Sequence, residues 1–169
     1  MQQKERKAMI RRSYKLTNSQ GTMAGLVASL RNLGSEQGWS DKCVYQITLA
    51  LDEIITNILQ YGYQSAEGYE IDVAVEITGQ QARLEVRDNA RPFNPIGDVS
   101  EPELDKPLLE RKRCVGGMGV HLVRSIMNSI AYRYENGRNI LTMEKDLGSL
   151  CNAEKCHNPV RVPEPQGGE

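Results

Sequence analysis

The chain has 169 residues, 39% hydrophobic and 25% charged, which suits one domain of ordinary size and is too apolar for wholesale disorder. Lys and Arg number 21 against 22 Asp and Glu, a net charge of -1 that excludes the basic surplus of a general nucleic-acid coat. No run reaches the roughly 20 apolar residues of a membrane-spanning helix, and the basic start MQQKERKAMIRR leads into no apolar signal core. Cys43, Cys114, Cys151 and Cys156 then read as reduced thiols, so the expectation is a cytoplasmic protein that touches neither membrane nor nucleic acid directly.

Met9 to Leu16 is short and mixed, an expected edge strand. Thr17 or Asn18 is placed to cap a helix whose Met23, Leu26, Val27, Leu30 and Leu33 share one face, with Gly34 and Gly38 marking its end. Ser40 suits the N-cap of DKCVYQITLALDEIITNILQYG, where Ile47, Leu51, Ile54, Ile55, Ile58 and Leu59 keep the helical period and Gly62 supplies the stop. The period then changes to two. Tyr69, Ile71, Val73, Val75 and Ile77 alternate outward, Gly79-Gln80 turns, and Ala82, Leu84 and Val86 alternate back as an antiparallel hairpin. From Asp88 to Val115 the periodicity vanishes amid Pro92, Pro95, Pro102 and Pro107; so long an irregular stretch in a compact domain is usually functional. After Gly116-Gly117-Met118-Gly119 a third helix, VHLVRSIMNSI, is expected. Strands around 130–134 and 139–144 follow, joined by Asn136-Gly137, a strong two-residue hairpin signal. The Pro- and Gly-rich tail from Gly148 reads as flexible. This order implies an α/β (α+β) fold, a two-layer sandwich with helices on one face of a mixed, mostly antiparallel sheet.

Three segments suggest chemistry. Glu53 and Asn57, four residues apart, project from one helix face about a turn apart, and a carboxylate beside an amide oxygen suits a magnesium site or a polarised hydroxyl. Asp88 ends a strand, where its carboxylate can accept from the amino group of a heterocycle. Gly116-Gly117-Met118-Gly119 opens a helix, where glycines and unpaired amides accommodate an anion; it is neither a Walker A loop nor a dinucleotide fingerprint. Each has a plainer reading when taken alone: a solvated polar face, an Asx-turn and a hinge.

Taken in order, the three resemble the Bergerat (GHKL) ATP-binding fold of histidine kinases, heat-shock-90 chaperones, type II topoisomerases and mismatch-repair ATPases. There an E-x-x-x-N box precedes a D-x-G-x-x box, a variable lid and a glycine-rich box opening a helix. The chain looks most like the small anti-sigma-factor serine/threonine kinases of bacterial partner-switching systems, through its compact length, its Glu53/Asn57 box and the run Pro92-Phe93-Asn94-Pro95. The resemblance covers about residues 9–146. It implies that Asn57 binds the magnesium bridging the triphosphate and that Glu53 is the general base on the acceptor hydroxyl. It implies that Asp88 receives the adenine amino group, and that Gly117 and Gly119 line the phosphates with Gly116 and Met118 in the same turn. Ala90 and Pro92 fall in the implied nucleotide-binding box. Ala90 stands where the family has Gly, an extra methyl compatible with negative φ that narrows the adenine pocket.

On the same resemblance, residues 1–147 form the ATP-binding kinase domain, 97–115 its lid and 148–169 a tail. Arg91, Arg111, Lys112 and Arg113 are placed to steer phosphates, though exposed charges of this kind more often form a solvated lid, and His121 reads as a packing or surface residue. Cys151, Cys156 and His157 are too few and too widely spaced for structural zinc. The implied activity is an ATP- and Mg2+-dependent serine/threonine protein kinase acting as an anti-sigma regulatory factor. It phosphorylates a small antagonist protein, alternately sequesters a sigma factor, and is expected to be a homodimer. The alternatives are a nucleotide-gated binding module without phosphotransfer, which Ala90 favours, and a detached histidine-kinase-like ATPase domain served by a phosphoacceptor His from a partner chain.

Overall fold

A computed structural model describes residues 9–17, 21–63, 68–94 and 117–148. The elements run β1 (Ile10–Thr17), α1 (Met23–Glu36), α2 (Asp41–Asn57), a π-helical turn (Ile58–Gly62), β2 (Glu70–Thr78), β3 (Gln81–Asp88), α3 (Gly117–Ile126), β4 (Ser129–Glu135) and β5 (Arg138–Asp146). That is the expected order. The strands form one five-stranded sheet in the order β1-β2-β3-β5-β4. Every neighbouring pair is antiparallel, so the expected mixed character is absent among the described residues. The reason lies in the last hairpin. The crossover through α3 makes β4 run parallel to β3, but β5 folds back between the two, and no parallel pair forms.

Alternation puts Ile71, Val73, Val75 and Ile77 of β2 on one face, in register with Val86, Leu84 and Ala82 of β3. Leu141 and Met143 of β5 continue the same layer. Ile47, Leu51, Ile54 and Ile55 of α2 close over it, all essentially buried. Burying each such side chain stabilises by about 1.5–3 kcal/mol, so this layer is what anchors α2 and therefore its polar flank. The opposite face carries charge: Arg11 meets Glu76 at 3.2 Å, Lys15 meets Glu70 at 3.1 Å, and Arg138 reaches Glu70 and Asp72 at 2.8 Å each. Pairs this exposed contribute little to stability.

The helix ends bring two corrections. Thr22 caps α1, its hydroxyl accepting from Gly25 N–H at 3.0 Å, whereas Thr17 is the last residue of β1 and Asn18 lies outside the described residues. Gly34 does not end α1. It is buried inside the helix, where a Cβ would run into Val44 Cγ2, so its role is close packing. Gly38, at φ 67°, makes the turn instead. Ser40 caps α2 as expected, accepting from Cys43 N–H at 3.2 Å. Asn136 and Gly137, at φ 52° and 76°, form the tight β4–β5 turn that their sequence announces. Among the described residues no helix is long and apolar enough to cross a membrane.

Candidate functional site

With the apolar stripe of α2 held against the sheet, Glu53 and Asn57 lie along its flank facing the start of α3. The contact there is tight: a Cβ on Gly119 would overlap Glu53 Oε2 and stand 3.6 Å from Asn57 Nδ2. Gly117, Met118 and Gly119 form the first turn of α3 itself. The helix thus starts earlier than expected and ends at Ile126, with Ser129 and Ile130 already in β4. The amides of a first helical turn have no intrahelical partners and sit at the positive end of the helix dipole. Asn57 is buried, and its Nδ2 has no hydrogen-bond partner among the described residues. A buried amide without a partner is costly unless something else meets it. Gly116 and residues 97–115 lie outside the described residues, as do 149–169.

Asp88, at the end of β3, is 3% exposed. Its Oδ1 accepts from Ala90 N–H at 2.9 Å, so the plain Asx-turn is realised, and from Asn139 Nδ2 at 2.8 Å. Burial pushes its pKa up, opposed by these two hydrogen bonds and by the charge of Arg138. Ala90 is buried as well, and its backbone does not enter the positive-φ region. The space for its methyl comes from across the cleft: a Cβ on Gly62 would lie 2.8 Å from Ala90 Cβ. Ala90 is therefore matched by a glycine contributed by the π-helical turn.

Asn57, Gly62, Asp88, Ala90, Phe93 and Asn139 line one narrow pocket open to solvent on one side, with Ile54, Ile58 and Leu141 as apolar walls. Glu53 and Gly119 adjoin it through Asn57. Pro92 is exposed and lies off the wall, which its neighbours Arg91 and Phe93 form instead. Arg91 braces the rim, donating from N to Gly62 O at 3.4 Å and from Nε to Tyr61 O at 3.1 Å. The π-helical turn begins immediately after Asn57, and such turns frequently mark functional sites.

Residues 16–145 match the family model described as the histidine kinase-like ATPase domain. The chain belongs to that family. Among curated relatives, the serine/threonine-protein kinase BtrW of Bordetella bronchiseptica is 26% identical over 114 residues, 68% of this chain and 78% of that one. The serine-protein kinase RsbW of Listeria innocua is 25% identical over 119 residues, 67% and 73% of the two chains. An anti-sigma F factor of Clostridium botulinum is 27% identical over 116 residues, 68% and 72%. The crystal structure of the RsbU and RsbW domains of Rv1364c from Mycobacterium tuberculosis has a TM-score of 0.52 at 16% identity, covering 80% of this chain and 32% of that one. At that identity the likeness concerns the fold alone.

In this histidine kinase-like ATPase domain the donor set is telling. Asn57 Nδ2, a donor without a partner among the described residues, and the first-turn amides of α3 fit an anion, while the side-chain oxygens of Asn57 and Glu53 beside them are of the kind a small hard cation takes. No cluster of three or more His, Cys, Asp or Glu side chains occurs among the described residues. A magnesium ion here would therefore take much of its shell from water and phosphate oxygens, as that ion prefers. At the other end a buried carboxylate between apolar walls fits a flat heterocycle bearing an amino group. Several lining residues escape sequence reasoning, Gly62, Tyr132, Asn139 and Leu141 among them. Gly62 reads only as a helix stop, and Asn139 only as part of a strand. A signal for Asn139 exists: it takes the sheet-face position that Leu141 and Met143 continue, where an apolar residue is expected.

Proposed function

We propose that this chain is an ATP- and Mg2+-dependent serine/threonine protein kinase of the anti-sigma type. In this reading it phosphorylates a small antagonist protein, alternately holds a sigma factor, and works as a homodimer in the cytoplasm. Its kinase domain is taken as residues 1–147, compatible with a family match over 16–145. Two relatives carry the name of a serine or serine/threonine kinase and another that of an anti-sigma factor. The observation that carries the reading is the convergence of Glu53, Asn57 and the first turn of α3 at the rim of the pocket floored by Asp88.

In the proposed mechanism Asp88 Oδ2 accepts from the adenine 6-amino group, and Ile54, Ile58 and Leu141 cover the ring. Asn57 would hold magnesium through its amide oxygen, and the ion, when bound, would supply neutralisation of the triphosphate charge. First-turn amides of Gly117, Met118 and Gly119 receive phosphate oxygens. Glu53 takes the proton of the acceptor hydroxyl as its oxygen bonds to the γ-phosphorus and the bond to the bridging oxygen breaks, ADP leaving. The bare Cα of Gly119 gives the Glu53 carboxylate its place. Ala90 lends no weight to a module that binds without transferring, because Gly62 receives its methyl.

The test is phosphotransfer from labelled ATP to the antagonist by the full chain and by Glu53→Ala. Removing a general base lowers the rate by about 10²–10⁴-fold, while ATP affinity changes by less than about threefold. Undiminished transfer would take Glu53 out of this role.

A further inference from the structure

Asn139 lies directly opposite Asp88 in the β3–β5 register and is 5% exposed. Its Nδ2 donates to Asp88 Oδ1 at 2.8 Å, to Arg91 O at 3.1 Å and to Ala90 O at 3.3 Å. Its Oδ1 accepts from Tyr132 O–H at 2.7 Å and from Phe93 N–H at 3.2 Å. An amide has two protons and two lone pairs to give, so this side chain is saturated by the protein and has nothing left for a ligand. What it does is arrange others. It ties the wall segment from Ala90 to Phe93 to β5, and it occupies Asp88 Oδ1. Among the described residues both hydrogen bonds that the Asp88 side chain accepts fall on that one oxygen, which leaves Oδ2 as the acceptor for an incoming donor.

We infer that Asn139 is a positioning residue that sets the base preference of the pocket, holding Asp88 so that it accepts from a 6-amino purine and rejects a 6-oxo purine. This rests on the purine-triphosphate reading above. An acceptor-only carboxylate with one fixed free oxygen matches the amino group of adenine. Against the carbonyl of guanine or hypoxanthine it sets two acceptors face to face at a carboxylate that is itself 3% exposed, and polar mismatches at buried groups discriminate strongly. The amide oxygen of Asn139 is itself locked by Tyr132 on β4, so the arrangement spans β3, β5 and β4 and does not depend on the turn after Asp88 alone.

The experiment compares binding of ATP and inosine triphosphate, which differ at the 6-position, to the full chain, to Asn139→Asp and to Tyr132→Phe, with thermal melts confirming that each is folded. Asn139→Asp keeps the shape, removes both amide donors and sets a second carboxyl against Asp88. The ATP-to-inosine-triphosphate preference is expected to fall by about tenfold or more, beyond any general weakening. Tyr132→Phe leaves Asp88 and Asn139 in place but removes the shorter of the two hydrogen bonds to the amide oxygen, Phe93 N–H keeping the other, and is expected to lower the preference by about two- to threefold; it keeps the proposal testable if Asn139→Asp does not fold. Equal weakening toward both triphosphates, with the wild-type ratio retained in the folded variants, overturns the proposal and leaves the kinase reading standing. A wild-type chain that binds neither triphosphate, or both equally, overturns the purine reading and this proposal with it.

Discussion

The two ends of the pocket are built on opposite principles. Around Asp88 the protein supplies its own partners: Oδ1 is doubly bonded, and Asn139 spends its whole hydrogen-bonding capacity on Asp88, the following wall and Tyr132. Around Asn57 it leaves them out. The buried Nδ2 has no partner among the described residues, and the amides of a first helical turn stand beside a carboxylate that has only a glycine's width of room. A pre-satisfied end recognises by shape and fixed polarity. An under-satisfied end is completed by what binds, and that is where a charged, metal-bearing group belongs.

The contrast can be broken most forcefully at Gly119. Gly119→Ala puts a methyl onto Glu53 Oε2, the far end of a flexible side chain, so Glu53 moves and the fold stays. A displacement near 1 Å in a reacting group costs up to about 10²-fold, and phosphotransfer should drop by that order. The melting temperature should hold or rise, because alanine favours a helix over glycine by up to about 1 kcal/mol. Parallel loss of stability and transfer would contradict this.

At the other end the expected effect is on stability. Gly62→Ala forces two methyls into space for one and should cost about 1–3 kcal/mol in denaturant unfolding. Adding Ala90→Gly should recover most of that loss, a coupling the double-mutant cycle reads directly. Additive losses would show that Gly62 and Ala90 do not share the space.

The smallest effect is in pH. Burial raises the Asp88 pKa above its ordinary 3.8, so between that value and the raised one the native chain holds more proton than the unfolded chain. Ionised Asp88 therefore subtracts stability as pH rises through that window, while ATP binding, which needs the acceptor form, strengthens over the same window. Melts and ATP titrations across the acidic range, each compared with Asp88→Asn, should show these opposite slopes. If they share a sign, Asp88 is not the acceptor.

Local chemistry made much of this legible in the sequence. The four-residue step from Glu53 to Asn57, the alternation ending at Asp88 and the Asn136-Gly137 turn are short-range patterns, and the structure honours them. What was hidden depends on partners distant in the chain. Gly34 reads as a stop because nothing nearby reveals Val44 and Trp39 against it. Asn139 is separated from Asp88 by fifty-one positions and meets it only because β5, not β4, lies beside β3. Ala90 reads as a departure until Gly62 is seen opposite.

Calorimetric titration of the full chain with ATP, in Mg2+ and again in EDTA, and of Asn57→Leu under the same conditions, tests the central claim most directly. The account predicts one site that tightens by about tenfold or more with magnesium in the wild-type chain, with that gain absent from Asn57→Leu. The variant should melt no lower than the wild type, since it removes a buried amide nitrogen that has no partner among the described residues. Binding that ignores magnesium in the wild-type chain, or a full magnesium gain that survives in Asn57→Leu, would contradict it.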